Sequence, residues 1–219
     1  MLRQDDPERV LLVRHNQPGR SQSMPRKPSA AEEHTVPLPL MERHLFDARH
    51  VMVVGDIHME MAKRVCSQLL ALSHASQDPI TLWVNSPGGH VESGDMIHDM
   101  LGFLSCPVRV IGSGWIASAG ALIYLGVPKE QRFALPNSRF LLHQPSGGMQ
   151  GSAVDIEIQA REIIKMKERL NCIIAEATGQ PISRVREDTE RDYWLDVDEA
   201  ISYGIVSRVI RSIRDLPAK

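Results

Sequence analysis

Short β-branched runs alternate with helix-period segments over most of this chain, and that alternation limits the fold more than any other feature. Val51-Met52-Val53-Val54 ends at Gly55 and reads as a buried strand. Residues 59–71 follow at helical spacing, and 80–84 form a second apolar run before the turn Asn85-Ser86-Pro87-Gly88-Gly89. Met96, Ile97, Met100, Leu101 and Leu104 recur at helical spacing until Pro107. Residues 108–111 then read as a third strand ending at Gly112, and 118–125 suit a helix of small and apolar residues. Two more strands are expected over 132–135 and 140–142, joined by a Pro136-Asn137-Ser138 turn. Strand, helix and strand in this order imply parallel strands with crossover helices, the α/β class.

The longest helix signal starts at Ser152, which with Asp155 makes an S-x-x-D capping box, and stops at Gly179. Ile156, Ala160, Ile163, Leu170, Ile174 and Ala177 mark one face. About 26 residues at a rise of roughly 1.5 Å reach about 39 Å, which rivals the expected diameter of the domain. Such a helix either projects across an interface or lies along the sheet.

Composition narrows the function classes. At 219 residues, 42% hydrophobic and 24% charged, the chain can bury a sizeable core in one domain. A net charge of -2 leaves no electrostatic footprint for nucleic acid, and 5% aromatics argue against a base-stacking surface. Cys66, Cys106 and Cys172 are far apart, so neither a disulfide framework nor a zinc site is expected, and a reducing, cytoplasmic setting fits. No signal-peptide core is expected at the start, and the apolar stretch 115–128 is too short to span a membrane. Residues 1–40 hold six of the 14 prolines among charges, Ser and Gln. They are expected to form a polar tail or propeptide-like segment, leaving 41–219 as the folded domain.

Chemistry has three local candidates. Ser118 sits where a helix should start, beside free backbone N–H groups. A G-x-S-x-G elbow would need Gly at 116, where the chain has Ile; on spacing alone, a packed helix-start serine is the commoner reading. Gly88-Gly89 closes a strand and lets backbone approach a ligand, although an ordinary turn reads the same way. His143 ends a strand, where clefts lie in α/β sheets, and imidazole is the usual base for a serine hydroxyl. An orienting carboxylate could come from Asp188, Asp192, Asp196 or Asp198. Together these are the parts of an acyl-transfer site.

The joint pattern resembles the proteolytic subunit of the Clp (caseinolytic) protease family. It is carried by Asn85-Ser86-Pro87-Gly88-Gly89, Ala117-Ser118-Ala119-Gly120-Ala121, Leu135-Pro136-Asn137-Ser138-Arg139, His143-Gln144-Pro145, residues 151–161 and Asp188-Thr189-Glu190-Arg191-Asp192. The resemblance implies a ClpP/crotonase-type superhelix of βαβ units with a protruding handle helix. It implies Ser118 as nucleophile, His143 as general base, Asp192 as the orienting carboxylate, and the N–H groups of Gly89 and Ala119 as oxyanion hole. It further implies a serine endopeptidase that needs no cofactor and takes unfolded polypeptide. Its subunits form heptameric rings, two of them stacked, and ATP is consumed by a separate AAA+ unfoldase. Arg191 is expected at a ring contact. Thr81 and Trp83 stand where the family places tyrosines for unfoldase docking, and Ala119 stands where it usually has Met. A weakly active subunit of mixed rings and a crotonase-fold acyl-CoA enzyme are the alternatives.

Overall fold

The computed structural model describes residues 40–148 and 150–217. Of the expected tail, residues 1–40, all but Leu40 lies outside them, and Leu40 begins a helix. The first helix, α1 (Leu40–Asp47), buries none of its residues. Leu45 is half-buried, and Met41, Leu45 and Phe46 line a cleft with residues of the strand and helix that follow; eight residues make only about two turns, too short for the period to stand out in the sequence.

Strand β1 (His50–Val54) buries Val51 and Val53 and exposes Met52 and Val54, with His50 half-buried. It leads into α2 (Met59–Ala75), β2 (Ile80–Ser86), α3 (Val91–Phe103) and β3 (Val108–Ala117). After α4 (Ala119–Leu125) come β4 (Arg132–Ala134) and β5 (Arg139–Leu142). The long helix α5 (Ala153–Thr178) precedes α6 (Ile182–Asp188), β6 (Tyr193–Leu195), α7 (Val197–Tyr203) and β7 (Arg208–Val209). The strands pair in the order β1-β2-β3-β4-β7, all parallel, while β5 pairs with β3 and, antiparallel, with β6. The core lies between sheet and helices, with Val53, Leu69, Leu82, Val84, Ile97 and Val110 fully buried.

The third strand runs farther than the sequence suggests. Gly112 does not end it; β3 continues through Gly114, at φ +73, to Ala117. Its first half pairs with β4 (Ile111 opposite Phe133) and its second half with β5 (Ile116 opposite Phe140). A register shift against β2 between Val84 and Ser86 marks the bend. The glycines that look like a stop permit this change of partner.

Helix α5 is closed at both ends as its caps foretell. Ser152 and Asp155 form both bonds of the capping box, and Gly179 takes the left-handed conformation at φ +76. Its 26 residues bury only Asn171, Ile174 and Thr178, all near the C-terminus. There the guanidinium of Arg132 also donates to the Ala177 carbonyl at 2.8 Å. The N-terminal half leaves Val154, Ile156, Ile158 and Ile164 exposed. The helix thus projects from the sheet rather than lying along it.

Candidate active site

Three neighbouring strands deliver the three expected side chains. Ser118 follows β3, His143 follows β5, and Asp192 precedes β6. Because β6 runs antiparallel with Leu142 opposite Tyr193, the next residues outward, His143 and Asp192, face each other. Their side chains meet, His143 Nδ1 to Asp192 Oδ1, at 3.0 Å. Sheet register therefore makes the pairing, and a one-residue slip would break it.

The other three aspartates are engaged elsewhere or point away. Asp188 accepts from the Tyr203 hydroxyl at 2.8 Å and lies 3.4 Å from Arg184. Asp196 caps α7 by accepting from the amides of Asp198 and Glu199, both at 2.9 Å. Asp198 is exposed in the first turn of α7. Spacing cannot separate the four; hydrogen bonding does.

Ser118 adopts φ +55 and ψ −123, one of two non-glycine residues with positive φ among those described. A serine so held stores strain, which clusters at functional sites. The surroundings impose it. Its amide donates to the Leu141 carbonyl at 3.0 Å, and its carbonyl accepts from Ala121 and Leu122 in α4. Position 116, which lacks the elbow glycine, is a fully buried Ile116. The sharp strand-to-helix turn thus forms without that glycine.

The Gly88-Gly89 turn lies directly against the serine. A Cβ on Gly88 would come within 2.6 Å of Ser118 Cβ, and one on Gly89 within 2.3 Å of the Ile57 carbonyl oxygen. Both have positive φ, +101 and +142. The turn is pinned by Ile57, whose amide donates to the Gly88 carbonyl and whose carbonyl accepts from His90, each at 2.8 Å. No hydrogen bond of the described residues uses the Gly89 or Ala119 amide as donor. Ala119 is the first residue of α4, where amides lack intrahelical acceptors.

Ser118, Ala119 and His143 line one narrow cleft with Val91, Leu122, Leu142, Pro145, Leu170 and Ile174. Among the described residues no hydrogen bond links Ser118 to His143; such bonds are often long without substrate. Leu170 and Ile174 read in the sequence only as part of an apolar helix face. Nothing in their spacing tells what that face covers.

The remaining expected residues lie apart from this cleft. Thr81 is buried, and its hydroxyl accepts from Arg109 Nε at 2.9 Å. Trp83 is half-buried, stacked on His50, and donates from its indole N–H to His50 Nδ1 at 2.8 Å. Burial, with a smaller contribution from the Arg109 charge, lowers the His50 pKa. Arg191 is exposed beside Asp192. Cys66, Cys106 and Cys172 are free thiols. Among the described residues no helix is long and apolar enough to cross a membrane.

Comparison with known proteins places the chain in a family. The sequence model described as Clp protease matches residues 38–213. The chain is 61% identical over 188 residues to the ATP-dependent Clp protease proteolytic subunit 3 of Rhizobium meliloti (strain 1021), covering 84% of this chain and 96% of that one. It is 56% identical over 177 residues to the proteolytic subunit 2 of Pseudomonas aeruginosa, covering 81% and 88%. The solved structure of ClpP1 from Listeria monocytogenes superposes with a TM-score of 0.74 at 48% identity, over 81% of this chain and 100% of that one. The fold and the matched span agree, and the chain belongs to the Clp protease family.

Proposed function

We propose that this chain is a serine endopeptidase, the proteolytic subunit of an ATP-dependent Clp system, and that Ser118, His143 and Asp192 are its triad. One observation carries the reading: the His143–Asp192 contact at 3.0 Å beside a serine held at positive φ in the same cleft. Asp192 accepts from the Nδ1–H of His143, which leaves Nε2 free to take the Ser118 proton. Ser118 Oγ then attacks the peptide carbonyl. The oxyanion finds the two unused amides of Gly89 and Ala119. His143 passes its proton to the departing amine, and water completes hydrolysis of the acyl-enzyme. The apolar walls of the cleft suit an apolar side chain next to the scissile bond. Fluorophosphonate labelling with peptide mapping tests the assignment. Label on Ser118 and loss of peptide cleavage are expected together; cleavage by a protein unlabelled at Ser118 would refute it.

The same amides make Gly89→Ala informative. Positive φ alone costs about 1–3 kcal/mol for a residue with Cβ, and here the Cβ meets backbone that cannot swing away. Both thermal stability and peptide turnover should fall. Gly102→Ala on α3, where a Cβ meets open space, should leave turnover intact and stabilise by up to about 1 kcal/mol.

Self-association into seven-membered rings, two of them stacked, covers the bare half of α5. Four exposed aliphatic residues on one projecting helix are poorly suited to water. Light scattering at low micromolar concentration should show a seven- or fourteen-subunit particle; a fully active monomer would end this reading. Such a chamber admits unfolded chain, which an AAA+ unfoldase supplies. Trp83 is the half-buried anchor of the proposed docking face, with Thr81 acting from beneath through Arg109. Trp83→Ala should weaken unfoldase-driven degradation of a folded substrate several-fold while leaving short-peptide cleavage unchanged. Equal degradation by both proteins would remove Trp83 from docking.

A further inference from the structure

The contact between His143 and Asp192 lacks local support of its own. The Asp192 side chain is 64% exposed, and its bond to His143 is its one hydrogen bond among the described residues. Neither packing nor a second donor fixes the carboxylate. Its position has to come from the backbone that carries it.

That backbone is held two and three residues upstream. Thr189 is buried, its carbonyl accepts from the Gln144 amide at 2.8 Å, and its hydroxyl is placed between Val185 O at 2.8 Å and Asn171 Oδ1 at 2.9 Å. The Glu190 carbonyl accepts from Gln144 Nε2, also at 2.8 Å, while its carboxylate meets Lys167 of α5 at 2.6 Å. Gln144 directly follows His143. One residue therefore ties the segment bearing the imidazole to the segment bearing the carboxylate, once through its backbone and once through its side chain.

Resting on the triad reading above, we infer that Gln144 is a positioning residue, whose paired bonds to the Thr189 and Glu190 carbonyls set the approach of Asp192 to His143. Thr189 is the fixed point of the same frame, anchored to α5 through Asn171. Gln144 touches no reacting atom; it acts through where it puts the carboxylate. The side-chain bond can be removed without emptying a core site, because Gln144 is half-buried at the end of β5.

Gln144→Met keeps the side-chain length and loses the donor. In the full-length assembled protein, with a short fluorogenic peptide, kcat should fall about 10- to 100-fold, the usual penalty for displacing a catalytic group by up to about 1 Å. KM, melting temperature and particle size should stay near wild type, and the rate of fluorophosphonate labelling should fall with kcat. Thr189→Val should reproduce the loss, and Thr189→Ser, which keeps the hydroxyl, should restore most of the rate. A Gln144→Met kcat within twofold of wild type would overturn the inference. So would a loss that travels with KM, with melting temperature or with disassembly, since that describes a binding or folding residue. If instead the wild type were neither labelled at Ser118 nor dependent on it, the triad reading itself would fail, a result distinct from an active triad indifferent to Gln144.

Discussion

Ser118→Ala should lower kcat for peptide hydrolysis by about a million-fold, and His143→Ala by a similar factor, because the proposed nucleophile and its proposed base would act as a unit. The residual rate belongs to substrate binding and the free amides of Gly89 and Ala119. The substitution should leave the fold untouched: alanine keeps the Cβ that packs against Gly88 and occupies the same strained backbone. Particle size and melting temperature should therefore match wild type, and phosphonate labelling should vanish. Ser118→Gly adds a second readout. Glycine accepts φ +55 without strain, so this inactive protein should melt higher than Ser118→Ala, because relief of about 1–3 kcal/mol of strain exceeds the roughly 0.5–1 kcal/mol that glycine's freedom in the unfolded chain costs. A markedly lower melting temperature for Ser118→Gly would show that the positive φ carries no strain.

Asp192→Asn should cost about 10⁴-fold in kcat, by the logic of a misdirected imidazole tautomer. An amide nitrogen turned toward Nδ1 donates where the carboxylate accepts. The ring proton then moves to Nε2, and His143 can no longer take the proton from Ser118. Because Asp192 is largely exposed, the change should alter stability by no more than about 0.5 kcal/mol. Asp188→Asn is the matched control. It weakens the Tyr203 hydroxyl bond and the Arg184 pair, so it should touch stability more than chemistry. A severe kinetic loss in Asp188→Asn with a mild one in Asp192→Asn would reassign the carboxylate.

Much of this fold is legible in the sequence. β-branched runs at 51–54 and 80–84 announce β1 and β2 because strands buried on one or both faces must be apolar. The caps of α5 announce both its ends, since each is a local hydrogen-bond arrangement written in a few residues. The second half of β3 stays hidden, because glycine reads as a stop and the exchange of β4 for β5 is a long-range event. The short strands β6 and β7 carry too few residues to show a period. Ser118 and His143 are visible as residue types at element ends. The choice of Asp192 from the residues alone is not, because its selection depends on the antiparallel register of β6 on β5. Gln144 gives no signal either: a glutamine after a strand looks like any polar loop residue until its two carbonyl partners are known.

The way β3, β5 and β6 share the site bears on when the chain becomes dangerous during its own synthesis. His143 and Asp192 are 49 residues apart, with the whole of α5 between them. Closing that loop is entropically slow, and it cannot begin until β6 has left the ribosome. A truncated or stalled product carrying Ser118 and His143 lacks the strand that brings the carboxylate, and it also lacks the segment that Gln144 grips. With Asp192 as the proposed orienting carboxylate, a half-made chain should hydrolyse peptides about 10⁴-fold more slowly, even when its first five strands have folded. On the proposed triad, full hydrolytic competence waits for the last quarter of the polypeptide, so the early products of synthesis should pose little risk to the cell that makes them.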